Sequence, residues 1–156
     1  MYSVGKVAAW NINGLSKVCR ILFACGKDMA DRFDLHHWDN SLIKVWAIVI
    51  LCVLKNRIWL VSNDGKPVAT FQTKQVGDAL LFQKLATDPS CAGAGIGSFC
   101  LSKIEEIGKA QGCKEILCEV YDKSNHALTF YMHRGYCEYG ETRSLKYTER
   151  KLKKTI

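Results

Sequence analysis

The chain has only two prolines, Pro67 and Pro89, so no proline-rich linker or extended spacer divides it. Nor does it hold a repeat or a low-complexity tract, which excludes solenoid and array architectures. Its most apolar run, Val45 to Leu54, is bracketed by Lys44 and Lys55 and is too short to span a bilayer, so no membrane role is expected. None of the eight cysteines is spaced C-x-x-C, which removes the zinc-ribbon and thioredoxin patterns. Several, such as Cys52 and Cys118, lie in apolar runs and read as small buried hydrophobes. No secretory leader is read at the start, so free thiols in a reducing cytoplasm are expected.

The formal net charge is +7, with 48% hydrophobic and 24% charged residues. That composition fits one globular domain over residues 1–156. The positive charge suits a soluble surface and a small anionic ligand. A nucleic-acid-binding domain would want a coherent basic stripe with interleaved aromatics. The only local cluster, Arg150-Lys151-Leu152-Lys153-Lys154, is too short to supply one.

Ser3 to Trp10 reads as a first strand, and Asn11 to Gly14 as a turn. Leu15, Val18, Cys19, Leu22 and Phe23 fall near helical spacing and predict a helix to about Met29. Asp28 to Asn40 reads as a helix end and a polar loop. Asn40 or Ser41 can cap a second helix, Leu42 to Lys55, although its β-branched residues leave a strand open. Arg57 to Ser62 and Pro67 to Thr73 flank the hairpin signal Asn63-Asp64-Gly65-Lys66. With the run 79–87 they predict an antiparallel meander. A helix from Ser98 to Gly112, a strand from Lys114 to Asp122, a helix capped by Ser124 and ended by Gly135, and a final strand pair at 136–139 and 144–152 complete the order. The unit 79–122 is a crossover whose two strands lie parallel.

Between strand and helix in that unit stands Ala92-Gly93-Ala94-Gly95-Ile96-Gly97-Ser98. Glycines allow a tight turn and close ligand approach, and the helix start offers unpaired N–H groups, so the stretch suits a phosphate. No lysine follows the glycines as a Walker loop requires, and the G-x-G-x-G spacing is not the dinucleotide G-x-G-x-x-G. A purely structural glycine turn is the other reading.

The second half resembles the GNAT superfamily of N-acetyltransferases. Ala92 to Gly97 is similar to the family's Q/R-x-x-G-x-G/A loop, with Ala92 where the family has Gln or Arg. Ser124 to Tyr136 is similar to N-x-x-A-x-x-x-Y-x-x-x-G-F/Y, in register at Ala127, Tyr131, Gly135 and Tyr136, with Ser124 replacing the asparagine. The resemblance implies an α/β, GNAT-like fold: a mixed, strongly twisted sheet of about six or seven strands with helices on both faces. Residues 57–156 would form the acyl-CoA-binding core and residues 1–55 the variable acceptor side.

The same resemblance implies acetyl-CoA as the co-substrate, with no metal. By it, backbone N–H groups of Gly93, Ala94, Gly95, Ile96, Gly97 and Ser98 would hold the pyrophosphate. Leu85, Ala86 and Thr87 would pair with the pantetheine arm and polarise the thioester carbonyl. Ser124 and Ala127 belong to the second coenzyme motif, and Tyr131 would protonate the leaving thiolate as general acid. Glu119 is the first choice of base, acting through water; Gln83 and Lys84 on the preceding strand are poor bases, and His36 and His37 have a suitable pKa range. Asp31, Asp34, Trp38 and Asp39 could line a site for a cationic amine. The acceptor is a small-molecule or peptide amine, and a homodimer through the 136–152 region is compatible with the family. A coenzyme A-binding module without turnover and a basic nucleic-acid-binding domain are the competing readings.

Overall fold

The computed structural model describes all 156 residues. Its elements run β1 (Tyr2–Val7), α1 (Ile12–Phe33), α2 (Leu42–Val53), β2 (Arg57–Asn63), β3 (Lys66–Val76), β4 (Ala79–Thr87), α3 (Ile96–Ala110), β5 (Glu115–Tyr121), α4 (Asn125–Met132), β6 (Cys137–Arg143) and β7 (Thr148–Thr155), with a 3-10 turn at Pro89–Cys91. The strands form one mixed seven-stranded sheet in the order β1-β2-β3-β4-β5-β7-β6. The β4–β5 pair is parallel, as the crossover pattern predicts. No helix is long and apolar enough to cross a membrane.

Two compact units are present, 1–74 with 84–103, and 75–83 with 104–156. In the first, α1 and α2 close over β1 and β2. Val7, Leu15, Val18, Cys19, Ile21, Leu22, Val45, Val49, Ile58 and Ala86 form its core. Successive strand side chains point to opposite faces. Val7 therefore meets α1, while Tyr2 stacks on Phe99 at the start of α3, ring centroids 4.8 Å apart. The expectation of helices on both faces is met within this unit.

Several boundaries differ from the sequence reading, each for a local reason. The Asn11–Gly14 stretch is a helix start: the Asn11 side chain accepts from the Gly14 N–H at 2.9 Å. Helix α1 continues to Phe33, where Asp34 turns left-handed (φ 55°) and its N–H bonds the Ala30 carbonyl. Ser41 caps α2 through the Lys44 N–H, so the β-branched run is helical because one of its faces packs on α1. The β2–β3 turn has Asp64 at φ 48° and Gly65 at φ 80°, the geometry its sequence predicts.

In the second unit, β7 sits between β5 and β6, antiparallel to both. Its start shifts from residue 144 to 148 because Ser144 folds into a turn, its Oγ donating to the Tyr147 carbonyl at 2.8 Å. Leu80, Phe82, Ile104, Ile116, Cys118, Val120, Tyr131, Tyr136 and Leu152 are among the buried side chains here. Gly135 (φ 84°) stops α4, as its sequence position predicts.

Candidate active site

The glycine stretch follows β4 through a folded connection. The Asp88 carboxylate accepts from the Ser90 N–H at 2.9 Å and from the Ser90 hydroxyl at 2.7 Å, which sets the 3-10 turn. Ala92 is extended, and Gly93 (φ 80°) and Gly95 (φ 74°) are both left-handed, conformations open to glycine at little cost. Helix α3 starts at Ile96, two residues earlier than the sequence reading, so Gly97 lies inside it. The first helical bond runs from the Phe99 N–H to the Gly95 carbonyl at 3.0 Å. The N–H groups of Ile96, Gly97 and Ser98 thus belong to the donor turn that precedes any intrahelical acceptor. No acidic residue stands in this turn, and Ala92 to Gly95 are exposed. Tyr2 braces the loop from β1, its hydroxyl 3.5 Å from the Ala94 carbonyl.

The end of β4 carries a second irregularity. Lys84 has φ 50°, a left-handed residue inside a strand. The parallel register with β5 covers only Ala79↔Glu115, Leu80↔Ile116 and Leu81↔Leu117, although β4 continues to Thr87. Ala86 is buried in the first core, with Leu85 and Thr87 half-buried on either side. A residue absent from the sequence reading enters here. Burial pushes the Cys25 thiol up to about 11, partly offset by a backbone hydrogen bond from Thr87. Nothing in the sequence marked Cys25, since helical spacing alone makes it one apolar position among many.

Tyr131 lies on α4 in the second unit and is 9% exposed. Its ring packs against Phe82, Phe130 and Tyr136 at centroid distances of 5.8, 5.2 and 5.7 Å. The Tyr136 hydroxyl is buried without a hydrogen-bond partner, and burial raises its pKa. Ser124 occupies the position before α4 but does not cap it with its side chain, a correction to the sequence reading; its carbonyl accepts from the N–H groups of Ala127 and Leu128 instead, each at 3.0 Å. Glu119 is half-buried on β5 and accepts from the Thr142 hydroxyl at 3.0 Å.

The acidic residues of the 34–40 loop are held by His36 and Lys27. His36 bridges Asp34 (Nε2 to Oδ1, 2.9 Å) and Asp39 (Nδ1 to Oδ2, 3.4 Å), and Asp39 also pairs with Lys27. The hydrogen bonds to Asp34 and then Asp39 raise the His36 pKa. Asp31 is exposed, and the His37 and Trp38 rings stand 5.9 Å apart. A separate cavity of about 270 Å³ lies along β1 and the first turn of α1, lined by Lys6, Asn11, Asn13, Lys17 and Ser62 among others; none of the candidate site residues named from the sequence lines it.

The chain matches known proteins at several levels. The uncharacterized protein YxbD of Bacillus subtilis (strain 168) is 26% identical over 110 residues, 70% of this chain and 68% of that protein. The crystal structure of PaiA N-acetyltransferase from Thermoplasma acidophilum in complex with coenzyme A superposes with a TM-score of 0.79 at 13% identity, covering 100% of this chain and 99% of that one. The ribosomal-protein-S18-alanine N-acetyltransferase of Escherichia coli gives 0.75 at 17% identity, covering 100% and 94%. These structural likenesses establish the fold. The model of the acetyltransferase (GNAT) family matches residues 24–136, and the chain belongs to that family.

Proposed function

We propose that this acetyltransferase moves an acetyl group from acetyl-CoA to a primary amine by direct attack within a ternary complex. The observation that carries the reading is the paired left-handed Gly93 and Gly95 leading into the acid-free first turn of α3, within a chain of this family. Such a turn concentrates N–H donors and the positive end of the helix dipole on one anion. It fits the pyrophosphate of coenzyme A, held by residues 93–98. Ala92 supplies no side-chain donor, so the grip rests on the backbone.

Leu85 and Ala86 are assigned to the arm and the thioester carbonyl. Thr87 is the weaker choice among the three, because its backbone already serves the Cys25 thiol. Ser124 and Ala127, at the start of α4, are assigned to the second coenzyme motif. In the reaction the neutral amine nitrogen attacks the carbonyl carbon, the carbon–sulfur bond breaks, and Tyr131 gives its proton to the departing thiolate. The amine's surplus proton leaves through water toward Glu119, whose carboxylate keeps acceptor capacity beside its single bond from Thr142. The acceptor side is assigned to residues 1–55 of a single catalytic domain, and the protein to the cytoplasm.

Thermal shift with acetyl-CoA, followed by an amine panel scored by free-thiol release, tests this. Stabilisation with thiol release on at least one amine is expected. Failure to stabilise removes the coenzyme reading altogether. Stabilisation without release on any amine would leave a coenzyme-binding module.

A further inference from the structure

Helix α2 has no polar face. Val45 and Val49 are buried against the first core, yet on the other side Ile43 is 84% exposed, Ile50 50%, Leu51 62% and Leu54 75%. At 100° per residue these four and Ala47 fall within an arc of about 100° that runs the length of the helix. A helix that is apolar all round is ordinarily covered all round. Within the stripe the exposed side chains present roughly 500 Å² per copy, inside the range of the largest apolar patch on a typical monomer.

The geometry points to a second copy of this chain as the cover, through an isologous α2–α2 contact. Two such faces together supply roughly 1,000 Å², about what a specific protein–protein interface has to clear. Ile43, Ala47 and Leu51 form one i, i+4 ridge and Ile50 and Leu54 the next, rows that the same rows of a second copy can mesh with, and the small Ala47 near the middle allows close approach. Lys44 and Lys55 are exposed and fall on one flank of the stripe, outside its centre, where their stems add apolar cover and their ammonium groups stay in water. No acidic residue stands between Asp39 and Asp64, so α2 itself carries no counter-charge to these lysines. The contact is therefore apolar with a like-charged rim, and it tightens as salt rises. This locates pairing on α2 rather than on the 136–152 edge, and it does not depend on the acetyltransferase reading.

Sedimentation velocity of the full chain across a concentration series tests the contact. The expected result is a species near twice 17.6 kDa at tens of micromolar, with a dissociation constant that falls several-fold between about 50 and 500 mM salt. Leu51→Glu with Leu54→Glu should give a monomer with unchanged far-UV circular dichroism. Ile43→Ser, a milder change at the most exposed position, should weaken association by about tenfold. A wild-type chain that stays monomeric at 100 µM, a dimer that survives the double variant, or a dimer that loosens with salt would overturn the proposal. So would a monomer that floats with vesicles of phosphatidylglycerol, which would assign the face to an anionic lipid surface.

Discussion

The backbone carbonyl of Trp38 occupies the space where a Cβ on Gly26 would stand. The glycine is helical, so its value is room for the loop rather than unusual torsion. The same carbonyl accepts from the Asn40 N–H at 2.9 Å, and Lys27 on the next residue pairs with Asp39. Two of these contacts fasten the 34–40 loop to α1, and the Asn40 bond braces the loop itself.

Gly26→Ala has a definite sign. In an open helix interior the change gains about 1 kcal/mol. Here it meets fixed backbone, and an overall loss of about 2 kcal/mol is expected in urea denaturation. Gly108→Ala is the control. A Cβ there meets only the tips of Ile116 (2.6 Å) and Ile156 (2.9 Å), which can rotate away, so stability should stay within about 1 kcal/mol of the wild type.

Lys84 holds a left-handed conformation that costs a non-glycine residue about 1–2 kcal/mol. Lys84→Gly should stabilise the chain by up to about 1 kcal/mol, and Lys84→Val should cost about that much or more. Thermal melting of both variants checks the pair. A loss in the glycine variant would mean that the lysine side chain, not its torsion, matters.

Tyr131→Phe keeps the ring contacts with Phe82, Phe130 and Tyr136 and removes only the hydroxyl. On the proposed mechanism kcat falls roughly 10²-fold while acetyl-CoA affinity is nearly unchanged. Tyr136→Phe removes a buried hydroxyl without a partner, and should leave turnover intact and raise stability by about 1 kcal/mol. Equal turnover in the two variants would take Tyr131 out of the reaction.

His36 titrates above its ordinary value of 6.5 because Asp34 and then Asp39 hold its protonated form. A group whose pKa is raised by folding contributes stability that is complete below 6.5 and disappears as pH climbs through the raised value. The wild type should therefore lose stability relative to His36→Ala across that window. An imidazole NMR titration should give a midpoint above 6.5 for His36. A midpoint at or below that value would show that the bridge does not persist in solution.

Thiol chemistry separates the cysteines by position. Cys137 is exposed, while burial pushes Cys19 and Cys25 up to about 11 and Cys100 up to about 12. With iodoacetamide at pH 8, peptide mass spectrometry should find Cys137 alkylated at least about tenfold faster than these three.

Element order was legible because hydrophobic periods and turn residues agree along most of the chain. Asn63-Asp64-Gly65-Lys66 named its hairpin, and Gly135 its helix stop. Boundaries failed where a side chain could play two parts: Asn11 reads equally as turn or cap, and Ser124 sits at a cap position without capping. Lys84 was opaque in this respect, since nothing about a lysine announces a positive φ. So was Cys25, whose neighbour Thr87 is brought to it only by tertiary packing. The left-handed turns at Gly93 and Gly95 were readable because glycine spacing is itself a backbone statement.

The short ladder between β4 and β5 implies a rule about variation. After Leu81 the strand still has to deliver Ala86 to the core and Thr87 to the turn at Asp88, six residues beyond its last parallel pair with β5. Side-chain facing alternates along a strand, so one residue inserted between 81 and 87 would turn Ala86 away from the core and displace the glycine loop by about 3.3 Å. Relatives should therefore vary at the half-buried positions of this segment more readily than in its length.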